Sequence, residues 1–171
     1  MKTTNPIRRL PLQGAANVRD LGGYPCEGGS TRWGIFLRSD SPADLTDADC
    51  GTLAAYGVTT AVDLRGDDER RDAPSALEGK AEFAAHSVTL CDNLHAVDFQ
   101  GELPGSMAGL YTWLLDESAG LLAEAVQLLA GAEGAALFHC AAGKDRTGVV
   151  AMLLLKLAGV ADTDVVADYS L

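Results

Sequence analysis

The sequence predicts an α/β fold with a central, largely parallel sheet flanked by helices. Three observations carry that prediction. Runs of strand length, β-branched or apolar, occur at 58–64 and 135–140; helical patterns alternate with such runs; and glycines stand where those helices should stop. At 171 residues the chain is long enough to bury a sizeable core, and residues 1–171 read as one domain without internal repeat or linker.

Each element follows in order. Residues 17–40, NVRDLGGYPCEGGSTRWGIFLRSD, have glycine-rich turns at Gly22-Gly23 and Gly28-Gly29 and a β-prone run at 33–38, which predicts short strands joined by tight turns. The stretch LTDADCGTLAAYG predicts a helix with Thr46 as N-cap, Asp47 and Asp49 in the first turn and Gly57 just past the end. Then VTTAVDL is a strand, RGDDERRD a polar turn, and 83–90 a further β-prone stretch. Residues 93–106, with Gly101, Pro104 and Gly105, read as a long loop near the active site.

Helical patterns resume at MAGLYTWLLDE and AGLLAEAVQLLAGA, the second with an apolar stripe of Leu121, Leu122, Ala125, Leu128 and Leu129. AALFHC is a buried strand, and TGVVAMLLLKLAG, opened by Thr147, is a nearly all-apolar helix closed by Gly159. Beyond it Asp162 is set as an N-cap, with apolar Val165, Val166 and Tyr169 starting one more helix before Leu171.

Twenty-four acidic against 13 basic residues give a formal charge of −11, which repels nucleic acid and anionic lipid headgroups at long range. Any phosphate site must therefore be a local cluster of N–H groups and a few cations. MKTTNPIRRLPLQG has two arginines but no apolar run after them, and no stretch approaches the ~20 apolar residues of a membrane span, so a cytoplasmic location is expected, with secretion lacking a cleavable signal left open. Cys26, Cys50, Cys91 and Cys140 are widely spaced with no CxxC pair, which argues against disulfides. His139 and Cys140 are neighbours in a strand and face opposite ways, which suits a shared zinc ion badly; neither metal nor cofactor is expected.

The informative stretch is FHCAAGKDRTGVV, residues 138–150. Between a buried strand and a buried helix, the backbone N–H groups from Ala141 through Ala142, Gly143, Lys144 and Asp145 to Arg146 can converge above the helix N-terminus as an anion nest. The same field, with Arg146 nearby, favours the Cys140 thiolate, while Arg146 offers two parallel hydrogen bonds to a phosphoryl group and Gly143 lets the chain turn beside the ligand. A strand-to-helix turn needs glycine in any α/β protein, and an isolated buried cysteine is more often structural; those readings fit single residues but not the whole run. A nucleotide P-loop is excluded, because Asp145 rather than Ser or Thr follows Gly143-Lys144. His86 and His95 read as ordinary surface or loop histidines.

HCAAGKDRTG resembles the signature loop of the cysteine-dependent tyrosine and dual-specificity phosphatases, with Cys140 and Arg146 separated by five residues. Its Lys144-Asp145 version is similar to the bacterial tyrosine and lipid phosphatases typified by the secreted mycobacterial enzyme. The motifs NVRDLGGY, TRWGIFLRSD, LTDAD and AVDLRGDDE match that subgroup in content and order, so the resemblance runs from about Asn17 to Gly148. It implies a tyrosine/dual-specificity phosphatase-like fold and phosphomonoester hydrolysis through a phosphocysteine. Cys140 would be the nucleophile and Arg146 with the 141–146 backbone the oxygen clamp; His139 would orient the loop and support the thiolate, and Thr147 would hydrogen-bond the sulfur. The Trp-Pro-Asp triplet of many relatives is missing from this sequence, so Asp145 is the candidate general acid, with Asp63, Asp92 and Asp98 as rivals and a purely structural Asp145 as the alternative.

The substrate implied is a phosphotyrosine protein or peptide, and Lys144 beside Arg146 leaves room for a second phosphate, as in a phosphoinositide. The competing functions are a non-catalytic phosphate-binding module and another cysteine-based anion enzyme, an arsenate reductase or sulfurtransferase. Members resembling this chain continue for several more helices, so the chain is expected to be short at its C-terminus and to form a homo-oligomer through the apolar faces of its last helices.

Overall fold

The early glycines do give short strands. The structure, a computed structural model, describes residues 8–90 and 106–171. β1 (Arg19–Asp20) is followed by the small hairpin of β2 (Pro25–Cys26) and β3 (Gly29–Ser30), then β4 (Phe36–Ser39). Helix α1 (Asp47–Tyr56) has the expected ends: Thr46 Oγ1 accepts from the Asp49 N–H at 3.1 Å, Asp49 accepts from the Thr46 N–H at 3.0 Å, and Gly57 turns left-handed at φ 102°. Asp49 also accepts from the N–H groups of Gln13 (2.8 Å) and Gly14 (3.0 Å), so the helix cap pins the N-terminal segment.

Strand β5 (Val58–Asp63) leads into α2 (Asp67–Asp72), then β6 (Ala84–Ser87), α3 (Met107–Glu117), α4 (Ala119–Ala130), β7 (Ala135–His139), α5 (Asp145–Leu157) and α6 (Asp162–Tyr169). Three local expectations need correction. RGDDERRD contains a helix rather than only a turn, because the Glu69 carboxylate caps it by accepting from the Gly66 N–H at 2.9 Å. Helix α5 begins at Asp145, two residues before Thr147, and α6 is capped by Ala161 in an extended conformation, with Asp162 already inside it. The expected 93–106 loop lies outside the described residues except for Ser106, whose hydroxyl caps α3 by accepting from the Gly109 N–H at 3.1 Å.

The main sheet has the order β1-β4-β7-β5-β6, with β1 antiparallel and the other pairs parallel. Alternation along β7 and β5 sorts the core onto two faces. Phe138 and Val62 join Leu64, Leu114, Leu122 and Val150 in one cluster, while Leu137 and Ala61 join Leu37, Leu53 and Leu77 in the other. The α4 stripe is narrower than its sequence, since Leu122, Ala125 and Leu129 are buried but Leu121 is exposed. On the last two helices Leu157 and Val166 are exposed.

Register then fixes where chemistry can occur. Ser39 and Asp63 both lie opposite His139, so β4, β5 and β7 end level at their carboxyl edge, and the 140–144 loop crosses that edge to enter α5. Beneath the loop Arg38 is 1 % exposed, and its Nη1 donates to Asp168 of α6 at 2.6 Å, while the Tyr24 hydroxyl donates to the other Asp168 oxygen at 2.7 Å. Asp168→Ala, which strands the buried guanidinium, should lower unfolding stability by about 3–5 kcal/mol, read as a shift in guanidinium midpoint at unchanged m-value.

Candidate active site

The loop after β7 is shaped by what its carbonyls bind. The Ala141 carbonyl accepts from the Ser41 N–H at 2.9 Å, the Gly143 carbonyl from Arg38 Nη2 at 2.9 Å, and Asn17 Nδ2 lies 3.4 Å from both the Ala142 and Gly143 carbonyls. With these oxygens turned to the scaffold, the N–H groups of Ala141 through Lys144 donate to no protein group among the described residues. A short loop with carbonyls tied outward and N–H groups unspent, running into a helix N-terminus, is an anion-binding arrangement. Cys140 stands at its start, 3 % exposed.

Gly143 serves a different neighbour from the one expected. Its φ is +67°, and a Cβ there would lie 2.5 Å from the Ser39 carbonyl oxygen, so glycine is required by the approach to β4. Thr147 is fully buried, and its Oγ1 has no hydrogen-bond partner among the described residues. A buried hydroxyl without a partner carries a folding cost, so its presence beside the loop calls for an explanation.

Arg146 is 3 % exposed and points its fork at Glu69: Nη1 to Oε2 at 2.5 Å and Nη2 to Oε1 at 2.7 Å. Glu69 is a functional candidate that the sequence reading missed. Its signal was the G-x-x-E spacing of a capping box, since the Oε2 that meets Arg146 also caps Gly66. The Arg146 bonds hold the Glu69 carboxyl below its ordinary value, against the opposing pull of burial.

His139 is 1 % exposed, with Nδ1 3.3 Å from the Cys140 carbonyl and Nε2 3.7 Å from Asp63 Oδ2, beyond hydrogen-bond reach. Burial drives its pKa down to about 4, with Asp63 pulling upward and Arg65 adding to the fall. The ring is therefore neutral at pH 7, and what it offers the loop is its contact with the Cys140 carbonyl rather than a charge. Asp63 is engaged by Arg65, whose Nε and Nη2 donate to it at 3.0 and 2.7 Å; burial raises its carboxyl but those bonds win and hold it low. Arg65 Nη1 also donates to Ser41 Oγ at 3.1 Å, so the buried ion pair braces the residue that holds Ala141. Both Asp63 oxygens are thus engaged by Arg65. Asp92, Asp98 and His95 lie outside the described residues, and His86 sits exposed on β6.

Asp145 is the first residue of α5, about a third exposed, and it takes the Tyr111 hydroxyl on Oδ1, with Lys144 Nζ 3.8 Å from the same oxygen. Lys144 is more than half exposed. Among the described residues no group of three or more His, Cys, Asp or Glu is arranged to hold a metal ion, and no helix is long and apolar enough to cross a membrane.

The model of the tyrosine phosphatase family matches residues 10–171. The chain belongs to the tyrosine phosphatase family. It is 37% identical over 139 residues to a tyrosine-protein phosphatase from Nostoc commune, covering 80% of this chain and 47% of that relative. It is 31% identical over 193 residues to the triple specificity protein phosphatase PtpB of Mycobacterium tuberculosis, covering 95% of this chain and 68% of PtpB. This family member thus spans about half the length of the Nostoc relative. Among solved structures, a cysteine-to-serine variant of P. aeruginosa TpbA in complex with pTyr aligns with TM-score 0.50 and 19% identity, over 83% of this chain and 71% of TpbA. That likeness concerns the fold, a mixed α/β phosphatase architecture.

The buried ring of this phosphatase-family chain has a consequence for stability. A histidine whose folded value lies near 4 against 6.5 when unfolded contributes stability that is complete above 6.5 and is lost as pH falls toward 4, because unfolding then takes up a proton. The contribution is about 3 kcal/mol. Denaturant midpoints should fall between pH 7 and 4.5, and His139→Asn should flatten that part of the profile; an unchanged slope would remove His139 as its source.

Proposed function

We propose that this chain hydrolyses phosphotyrosine esters through a phosphocysteine at Cys140. The observation that carries the proposal is the loop itself, with N–H groups unspent from Ala141 to Lys144, Cys140 buried at its start and Arg146 held by Glu69 on one side. The Cys140 sulfur attacks phosphorus as the bond to the tyrosyl oxygen breaks, and Asp145 delivers its proton to that oxygen. The loop N–H groups and Arg146 hold the three equatorial oxygens throughout. In the second half Asp145, now a carboxylate, takes the proton of the attacking water; the phosphorus–sulfur bond breaks, and the unpartnered Thr147 hydroxyl donates to the departing thiolate. His139, neutral and buried, keeps the loop in place.

Lys144 supports a broader substrate range. It is an exposed ammonium one residue from the loop's turn, placed to meet a second phosphate of a phosphoinositide or an acidic flank of a phosphopeptide. A silent phosphate-binding module fits less well, since it needs neither a nucleophile at Cys140 nor an orphan hydroxyl beneath it. Arsenate reductase and sulfurtransferase readings also lack support from the family to which the chain belongs.

The decisive assay is turnover of phosphotyrosine peptide, phosphoserine peptide and phosphoinositide in chelator, with vanadate as inhibitor. Cys140→Ser should abolish turnover while retaining oxyanion binding within about tenfold, because the backbone supplies most of the contacts. Turnover surviving in a clean Cys140→Ser preparation would refute the thiolate mechanism.

A further inference from the structure

Asp145 does not stand alone at the head of α5. The Tyr111 hydroxyl of α3 contacts its Oδ1 and also contacts the Tyr169 hydroxyl of α6. A hydroxyl carries one hydrogen, and a carboxylate can only accept. With the Tyr111 hydrogen given to Asp145, Tyr169 must be the donor to Tyr111, so the chain runs Tyr169 to Tyr111 to Asp145 in one direction. Such chains polarise each other and hold their members more tightly than isolated bonds would. The two rings also meet edge to face, with centroids 6.1 Å apart at 72°.

Burial, reinforced by the bonds to Asp145 and Tyr169, pushes the Tyr111 phenol well above its ordinary value, so it remains a donor across the whole working range. Among the described residues, the polar contacts of the Asp145 carboxylate, from Tyr111 and Lys144, fall on Oδ1. The proton to be transferred is therefore carried on Oδ2, and the orientation of that oxygen is set by what grips its twin. Tyr169 is fixed in turn: its ring lies where a Cβ at Gly148 would come within 2.9 Å, and its neighbour Asp168 is the buried partner of Arg38.

We infer that Tyr111 and Tyr169 are positioning residues for the general acid, holding Oδ1 of Asp145 so that Oδ2 faces the leaving oxygen. The inference rests on Asp145 being the acid proposed above. It also accounts for an acid placed beside Lys144, because the cation and the Tyr111 hydroxyl meet the same Oδ1 and leave Oδ2 to the substrate side.

The test compares two substrates, phosphotyrosine peptide, whose leaving group needs the proton, and an aryl phosphate whose phenol is acidic enough to leave unaided. Asp145→Asn should slow the first by about a hundredfold and the second by less than about threefold. Tyr111→Phe, which keeps the ring, should show the same selectivity at about tenfold, Tyr169→Phe a weaker form of it, and Tyr111→Phe should add little on top of Asp145→Asn. A uniform loss in Asp145→Asn would overturn the acid assignment and the inference with it. Selective loss in Asp145→Asn beside unselective or unchanged rates in Tyr111→Phe would overturn the positioning role alone.

Discussion

A guanidinium buried inside the sheet is the constraint from which the site's geometry follows. Arg38 sits on β4 opposite Phe138, and a charge in that position is tolerable only if it is paired and hydrogen-bonded. One terminal nitrogen is satisfied by Asp168 and the other by the Gly143 carbonyl. The first bond draws α6 against the sheet; the second fixes the peptide plane at the tightest point of the loop. Tyr24 completes the arrangement, its phenol pushed above the ordinary value by burial and by the bond to Asp168, so that it stays a donor. One buried charge thus ties the loop's turn at Gly143 to the C-terminal helix.

The same device recurs twice. Arg65 is paired with Asp63 and braces Ser41; Arg146 is paired with Glu69. Each of these three arginines has an acid of its own, so the cations at the site add little net charge, and an anion at the loop would be met chiefly by its unspent N–H groups. Attraction for a phosphate is consequently short-ranged and backbone-based, in keeping with a global field that repels anions until they are close.

The largely parallel sheet, α1 with both caps and the anion loop were legible because each depends on local signals: strands alternating with helices, capping residues, and a strand-to-helix turn rich in small residues. The sequence reading went wrong where a tertiary partner decides. RGDDERRD looks like a polar turn until Glu69 is seen to cap it and to meet Arg146, 77 positions away. Gly143 and Gly148 were legible as glycines, yet their reasons, the Ser39 carbonyl and the Tyr169 ring, come from β4 and α6. Arg38 and Asp168, 130 positions apart, carried no signal that either would be buried.

Placing the proposed acid beside the proposed oxygen clamp has a mechanical consequence. Asp145 and Arg146 are adjacent residues in the first turn of α5, so one helix carries both and the separation of their backbones is set by covalent geometry. What backbone geometry leaves undetermined is side-chain rotation, and here two sides of the site divide the work: Glu69 of α2 holds the Arg146 guanidinium, while Tyr111 of α3, itself bonded to Tyr169 of α6, holds the Asp145 carboxylate. Because Asp168 and Tyr169 are consecutive on α6, any shift of that helix reaches the loop backbone through Arg38 and the acid through Tyr111 together. Asp145 and the loop backbone are therefore linked through one short helix, the first by way of Tyr111 and Tyr169 and the second by way of Arg38 and Asp168.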